Sequence, residues 1–359
     1  MTFFRTMTKY GVALSVAFGA GSYLLSDLAA SAPALIEQWY SRGLYQAVRW
    51  GFDHTLGLLP VPAFYVFWAA VGVWWGRRWY LRPKHQQLAY WLGTLVVFSG
   101  VTWGAFYWLW GYNYRRVPLV EQMGIELVPI DTAALWKELN YETKVLDSLR
   151  TLLKGADTMA INDDRFWPKQ AEDTVRQSVV RFLEEQGYPS AARVRGRKIF
   201  PAGLLEGFNA AGLYWPFVGE GNIDAGLHPL QQLPVMAHEM AHGYGFGDEG
   251  TCNFIAYLAG VQSGNLYFAY CSHLSYWRTL APHCYRSDSV RYNTTFRPFL
   301  PAGIRQDVRA VVAQSDRYAA FFPQFSYLFY DQYLRSQGVQ SGMASYNEVI
   351  QMVYSWRKY

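Results

Sequence analysis

His238 and His242 stand four residues apart with Glu239 between them, in the stretch "VMAHEMAHGYGFGDEGTCNFIAYLAG" that runs from Val235 to Gly260. On a helix, positions i and i+4 share one face. Two imidazoles so spaced reach a single metal ion at about 2.0–2.1 Å, and the intervening glutamate points to where a water is activated. Pro234 suits the first position of such a helix, and Gly243, Gly245 and Gly247 stop it just after His242. The motif is therefore expected at a helix end, where the chain turns back toward the metal. Seven histidines in the whole chain keep a chance match improbable. Two ordinary core or surface histidines are the competing reading.

A catalytic site of this kind needs a third protein ligand and keeps one position open. Two acids compete for the role. "HEMAHGYGFGD" fits HExxHxxGxxD, a metzincin-like pattern that points to Asp248. In the other reading a new helix begins at Asp248, which caps it and leaves Glu249 in the first turn. Asn253 then lies one turn further along the same face. Glu249-x-x-x-Asn253 resembles the ExxxD helix of gluzincins, which implies Glu249 as the metal ligand and Asn253 as the group that braces a ligand histidine. The capping duty of Asp248 favours Glu249. The bland reading of Glu249 is a solvated acid at a helix N-terminus.

The rest of the chemistry is less localised. Candidates for stabilising an oxyanion are His273, Tyr276, Arg278 and Tyr330, each also readable as packing in an aromatic-rich helix. "AGLYWPFVG", residues 211–219, reads as a short strand that takes a peptide by β-addition or lies buried in a sheet. No CxxC is present, so a cysteine-held zinc is not expected. Cys252 sits in an apolar run; Cys271 and Cys284 are either a disulfide or two separate thiols.

The elements that position these residues follow from composition. The chain has 359 residues, 51% hydrophobic and 18% aromatic, with only 16% charged, against about 25% charged in typical soluble domains. Fifteen tryptophans and 27 tyrosines suit membrane interfaces. The net charge of +5 matches positive flanks of membrane helices better than a nucleic-acid surface, and no RNP-like or zinc-finger pattern is present. Three apolar segments follow: Tyr10 to Leu28, Leu56 to Gly76 and Leu88 to Trp110, each about long enough to cross a ~30 Å hydrocarbon core. The first reads as an uncleaved anchor, because two more segments follow it. Arg77, Arg78, Arg82 and Lys84 lie between the second and third with no acid among them. The positive-inside rule places that loop, and the N-terminus with Arg5 and Lys9, in the cytoplasm. Everything after Trp110 is then outside.

From about Pro118 the composition becomes that of a soluble domain. "DTAALWKELNYETKVLDSLRTLL" and "AEDTVRQSVVRFLEEQG" read as amphipathic helices. "ARVRGRKIF" and "AGLYWPFVG" read as strands, and the chain after the histidines reads mostly helical to Lys358. The expected organisation is a membrane anchor over residues 1–110 and an extracytoplasmic domain over 111–359.

"GLYWPFVGEGNID", "LPVMAHEMAHGYGF" and "CNFIAYLAG", with "LWGYNYRRVPL" and "YDQYLRSQGVQSGMASYNEVI", resemble DUF3810, a bacterial membrane family of zinc-peptidase-like proteins found in Bacteroidetes. The resemblance spans nearly the whole chain. It implies a membrane-anchored zinc hydrolase and gives no substrate; together with the loop charges, the expected location is the bacterial inner membrane, multi-pass, with the catalytic domain on the periplasmic side. The usual family stretch, roughly R-E-D-E-A-N-F, is here Asp248-Glu249-Gly250-Thr251-Cys252-Asn253-Phe254. Glu249 keeps an acid seven residues after His242, while Thr251 replaces a second acid, which again favours Glu249.

The expected fold is a mostly α membrane protein: three N-terminal transmembrane helices, then an α+β zincin-like domain with a short sheet and the HExxH helix. The expected function is a membrane-anchored zinc metallopeptidase, with zinc-activated water, Glu239 as general base, and His238, His242 and Glu249 on the metal. Its partners are the lipid bilayer and a peptide or protein substrate, with no nucleic acid. The alternatives are a zinc-containing non-catalytic scaffold or pseudo-peptidase in a membrane complex, and an intramembrane zinc protease.

Overall fold

The computed structural model describes the backbone of residues 2–82, 87–162, 164–318, 321, 323–337, 339, 342, 344 and 348–358. Lys84, the last basic residue of the expected cytoplasmic loop, lies outside the described residues. The chain divides into two units, Met1–Val117 with Trp215–Gly219, and Pro118–Tyr214 with Glu220–Tyr359.

In the first unit, helices α1 (Thr2–Ala29), α2 (Tyr45–Asp53), α3 (Ala63–Tyr80) and α4 (Gln87–Leu109) follow one another. Two helical stretches, Tyr10–Ala29 of α1 and Gln87–Leu109, are long and apolar enough to cross a membrane. The segment expected from Leu56 to Gly76 is different. Its first residues form a 3₁₀ turn, Leu56–Leu58, and the helix proper starts only at Ala63. The cause is local: Pro60 and Pro62 each lack an N–H, and a residue before proline is pushed out of the α region. Leu59 accordingly has ψ 141°. The helical path Pro33–Leu58 and α3 meet at 89° across this break.

Helices α1 and α4 run parallel and touch backbone to backbone. Trp108 donates to Ser22 (3.1 Å) and Arg115 to Ser26 (3.3 Å). At the closest point a Cβ on Gly100 would lie 2.4 Å from the Ser15 carbonyl oxygen. Only glycine admits that approach, and close backbone contact is what holds helices together where both partners and solvent are apolar. Helix α3 runs the other way along α4: Trp74 faces Phe98 (5.5 Å), while Trp79 faces Trp91 (5.9 Å).

The second unit contains α5 (Thr132–Lys154), α6 (Ala171–Glu185), strands β1 (Arg195–Ile199), β2 (Gly212–Trp215, all but its last residue) and β3 (Glu220–Asp224), then α7 (Pro229–Gly243), α8 (Glu249–Val261), α9 (Leu266–Ser287), α10 (Ala302–Ser315), α11 (Pro323–Ser336) and α12 (Glu348–Trp356). The expected helices and the two expected strands are all present. The leucine spacing of α5 buries Leu139 and Leu146 completely, and Asp131 caps the helix by accepting from the Ala134 N–H at 2.7 Å. A third strand, β3, joins the two expected ones. Its sequence, "EGNID", carries two acids and a glycine, yet all five residues are buried. The sheet order is β1-β3-β2, with β1 and β3 parallel and Arg195 opposite Glu220.

Helix α7 lies on this sheet, with Leu233, Ala237, Met240 and Ala241 in the core. A Cβ on Gly221 would come within 2.8 Å of Glu239 Cβ, so a glycine in β3 lets the helix carrying the histidines lie against the strand. Across the core, Asp307 of α10 is fully buried. It accepts from Arg150 Nε (2.8 Å), the Tyr270 hydroxyl (2.5 Å) and the Ile161 N–H (2.8 Å), which joins α5, α9 and α10. Cys271 and Cys284 are free, buried thiols on α9. Thirteen residues along one helix separate them by about 20 Å, far beyond the reach of a disulfide.

Replacement of Gly100 by leucine should destabilise the α1–α4 pair, at a cost of about 1–3 kcal/mol or more from overpacking. Val101→Leu, at an exposed neighbouring position, should be near neutral. Thermal denaturation of the two detergent-purified variants checks this, and equal midpoints would contradict the packing described.

Candidate metal centre

Helix α7 starts earlier than expected. Pro229, not Pro234, takes the first helical position, and Pro234 sits inside the helix. His228 is the cap, its Nδ1 accepting from the Leu230 N–H at 3.3 Å. Burial pushes the His228 pKa down to about 4, so the ring stays neutral and able to accept. The helix ends as expected at Gly243. Gly245 then adopts φ 92°, a left-handed conformation that reverses the chain at little steric cost.

The next helix, α8, begins at Glu249. Asp248 is its cap, accepting from the Thr251 N–H at 2.6 Å. With Asp248 so engaged, Glu249 in the first turn faces the histidines. Its Oε2 lies 3.0 Å from His238 Nε2 and 3.5 Å from His242 Nε2, and the two Nε2 atoms are 3.1 Å apart. Asn253, one turn on, places Oδ1 2.9 Å from His238 Nδ1. The structure thus brings together His238, Glu239, His242, Glu249 and Asn253, and assigns Asp248 to the helix cap.

These distances suit one cation. A tetrahedral site with arms of about 2.05 Å has edges of about 3.3 Å, which the three separations bracket. The hydrogen bonding points the same way. The Phe246 carbonyl can only accept, so at 2.8 Å His242 Nδ1 is the donor, and in the neutral ring Nε2 carries a lone pair. His238 gives its own Nδ1 to Asn253. Two imidazole nitrogens and a carboxylate therefore converge in a buried space, a set that calls for a positive charge, a proton or a metal ion, among them. His238, His242 and Glu249 form such a ligand-type group among the described residues. Burial works against charge on both Glu249 and His242. Even so, the two imidazoles hold the Glu249 carboxyl well below its ordinary pKa, and Cys252 and Glu249 hold His242 well above its own.

Glu239 is buried on the same helix beside β2. A Cβ on Gly212 would meet Glu239 Oε1 at 2.4 Å, and the Tyr214 backbone N–H donates to the carboxylate. Burial pushes the Glu239 pKa up to about 7, against the pull of His238 and His242. Strand β2 is an edge strand, since only β3 pairs with it among the described residues. At fifteen residues, α7 spans about 22 Å, shorter than a ~30 Å bilayer core.

The expected oxyanion candidates lie elsewhere or have other partners. His273 Nδ1 is bonded to Glu142 at 2.7 Å, and the Tyr276 ring packs on Tyr257 at 4.9 Å. Arg278 is on the same helix, its guanidinium pKa lowered by burial, with no hydrogen bond to the three ligand-type side chains. The side chain of Tyr330 lies outside the described residues. Three groups at the site had no sequence signal strong enough to name them. They are the Tyr214 N–H, the Phe246 carbonyl and Cys252, whose Sγ is 3.3 Å from His242 Nδ1. The four-residue step from His242 to Phe246 is the one regularity that points to any of them.

Comparison with known proteins adds a family and no function. No curated protein and no solved structure matches the chain. The family model described as "Protein of unknown function (DUF3810)" matches residues 40–354, a span that holds the histidine helix, the capped helix after it and two of the three expected apolar segments, and the chain belongs to that family.

Proposed function

We propose that this chain is a membrane-anchored zinc metallopeptidase that hydrolyses peptide bonds outside the cytoplasm. The observation that carries the reading is the convergence of His238 Nε2, His242 Nε2 and Glu249 Oε2 within 3.5 Å of one another, with Glu239 one residue from the first ligand. Two imidazoles and one carboxylate are a catalytic zinc set, which keeps a position open, unlike the closed four-ligand sets of structural zinc. His238, His242 and Glu249 would hold the ion. When bound, zinc supplies a Lewis acid that polarises the scissile carbonyl and makes water acidic enough to be deprotonated near neutrality.

The remaining roles fall to the protein. Glu239 accepts the proton of the attacking water as the C–O bond forms, then delivers it to the leaving amine as the C–N bond breaks. Asn253 and the Phe246 carbonyl hold the outer nitrogens of the two histidines, which keeps both Nε2 atoms turned inward. Strand β2 is the outer strand of the sheet beside Glu239, the position at which an extended peptide adds by β-addition, with main-chain hydrogen bonds giving affinity and side-chain pockets giving specificity. An intact glutamate in this position supports catalysis over a scaffold role, because a structural site has no use for a base.

The membrane arrangement rests on helix direction. Parallel neighbours α1 and α4 cross a bilayer in the same sense, so the chain between them must return. Helix α3, antiparallel to α4 and about 27 Å long, is the segment available for that return. Arg77 and Arg78 in its last turn and Arg82 beyond support a cytoplasmic position for that end by the positive-inside rule. Residues after Trp110 then lie outside. A reporter fused at the C-terminus that works only in the cytoplasm should be inactive, and an active fusion would refute the orientation.

Glu239→Gln should retain zinc and lose hydrolysis of a membrane proteome by at least ~10²–10⁴-fold. Wild-type turnover in that variant, with metal bound, would end the peptidase reading and leave the scaffold. The ligand assignment is tested separately. Glu249→Ala should lose most zinc affinity, and Asn253→Ala about ten- to a hundredfold. Asp248→Ala should cost about 0.5–2 kcal/mol of stability while keeping the metal. Zinc content that follows Asp248 and survives loss of Glu249 would make the site metzincin-like instead.

A further inference from the structure

Glu249, Asn253 and Tyr257 follow one another at intervals of four along α8, so they form one stripe on the helix. The first two meet His238 from opposite sides of its ring. The third reaches away from the metal centre into a separate buried cluster. The Tyr257 hydroxyl donates to Glu142 Oε1 at 3.0 Å. Glu142, on α5, is completely buried and also receives His273 Nδ1 of α9 at 2.7 Å. Arg357, just past α12, bonds to Glu142, Glu138 and the Tyr257 hydroxyl together. Four elements therefore meet on one tyrosine oxygen and its carboxylate partner.

We propose that Tyr257 is a positioning residue for the metal centre: its hydroxyl, anchored on Glu142 and Arg357, sets the rotation of α8 that presents Glu249 and Asn253 to His238.

The need for such an anchor follows from how α8 is attached. Its N-terminal end is tied to α7 by a short buried reversal, with Cys252 Sγ on the Phe246 carbonyl at 3.4 Å; two turns further on, Tyr257 is where the same stripe is tied to other elements. A carboxylate several ångströms beyond the ~2.3 Å Cα radius moves by about 1 Å for a rotation of ~10°. Ligand groups tolerate about 0.5 Å and 10–20°, so small rotations matter. Apolar packing by Phe254, Ile255 and Leu258 holds the helix in the core, but such contacts are non-directional. A hydrogen bond to a buried carboxylate is directional, and this one is stable in protonation. Burial and the adjacent Glu142 hold the Tyr257 hydroxyl well above its ordinary pKa, so it remains a donor. Glu142 stays an acceptor, because His273 and Arg357 outweigh its burial and keep its carboxyl below the usual range. The inference rests on the metal-centre reading above, and the experiment separates the two.

The full chain is purified in detergent, and zinc affinity is measured by competition with a chelating dye for wild type, Tyr257→Phe, Arg357→Lys and Ile255→Val. The last is a packing control on the same helix with no polar anchor. Cobalt-substituted spectra report ligand geometry. Tyr257→Phe should weaken zinc about tenfold and alter the cobalt spectrum, and Arg357→Lys should act in the same direction, since a lysine cannot reproduce the forked contacts. Ile255→Val should lower the melting temperature and leave affinity and spectrum unchanged. If wild type binds zinc and Tyr257→Phe weakens it no more than Ile255→Val does, this inference is overturned alone. If wild type binds no zinc, the metal-centre reading falls and takes the inference with it.

Discussion

Both ring nitrogens of His238 are taken by one helix. Glu249 Oε2 lies 3.0 Å from Nε2 and Asn253 Oδ1 lies 2.9 Å from Nδ1. This double contact requires one distance, one crossing and one rotation of α8 against α7, and the site depends on it. A shift of α8 by one residue would turn the stripe by about 100° and remove both contacts. The chain meets the constraint with a reversal of five residues, Tyr244 to Asp248, in which Gly245 takes φ 92° and Asp248 ends the turn as a cap.

The same physical device appears in each unit. Where backbones must come close, a glycine stands at the contact. Gly100 admits the Ser15 carbonyl between α1 and α4, and Gly221 admits Glu239 between β3 and α7. In the first case the gain is packing between helices that share no hydrophobic driving force in lipid. In the second it is function: the residue proposed as the general base lies next to an edge strand, instead of being held off by a side chain. Around these contacts the buried charges are partnered. Arg150 pairs with Asp307 and Arg357 with Glu142, as charges removed from water require.

The features legible in the sequence are those whose physics is local. His238, Glu239 and His242 could be placed on one face from helical period alone. Glu249 could be preferred over Asp248 because a cap and a first-turn acid are distinguishable by one position. Strands β1 and β2 were legible from their β-formers. Strand β3 is not, because "EGNID" has a single β-branched residue, Ile223, and no alternation, and its burial comes from tertiary packing between β1 and β2. The break at Leu59–Pro62 was written in two prolines but masked by the apolar run around them. Pro229 and Pro234 both precede the histidines, and only the cap geometry of His228 distinguishes Pro229 as the first helical residue. Contacts of long sequence separation left no local trace: Tyr257 with Glu142 is 115 residues apart and Arg357 with Glu142 is 215.

The central claim is that two imidazoles and one carboxylate hold a single zinc ion with a position left open. Zinc K-edge X-ray absorption on the purified full chain tests it most directly. The account predicts one zinc per chain with an all-nitrogen-and-oxygen shell at about 2.0–2.1 Å and outer scattering from two imidazoles. Cys252 lies near His242 but on its outer nitrogen, so no sulfur belongs in that shell. A scatterer at about 2.3 Å, the zinc–thiolate distance, or a histidine count other than two would contradict the site described.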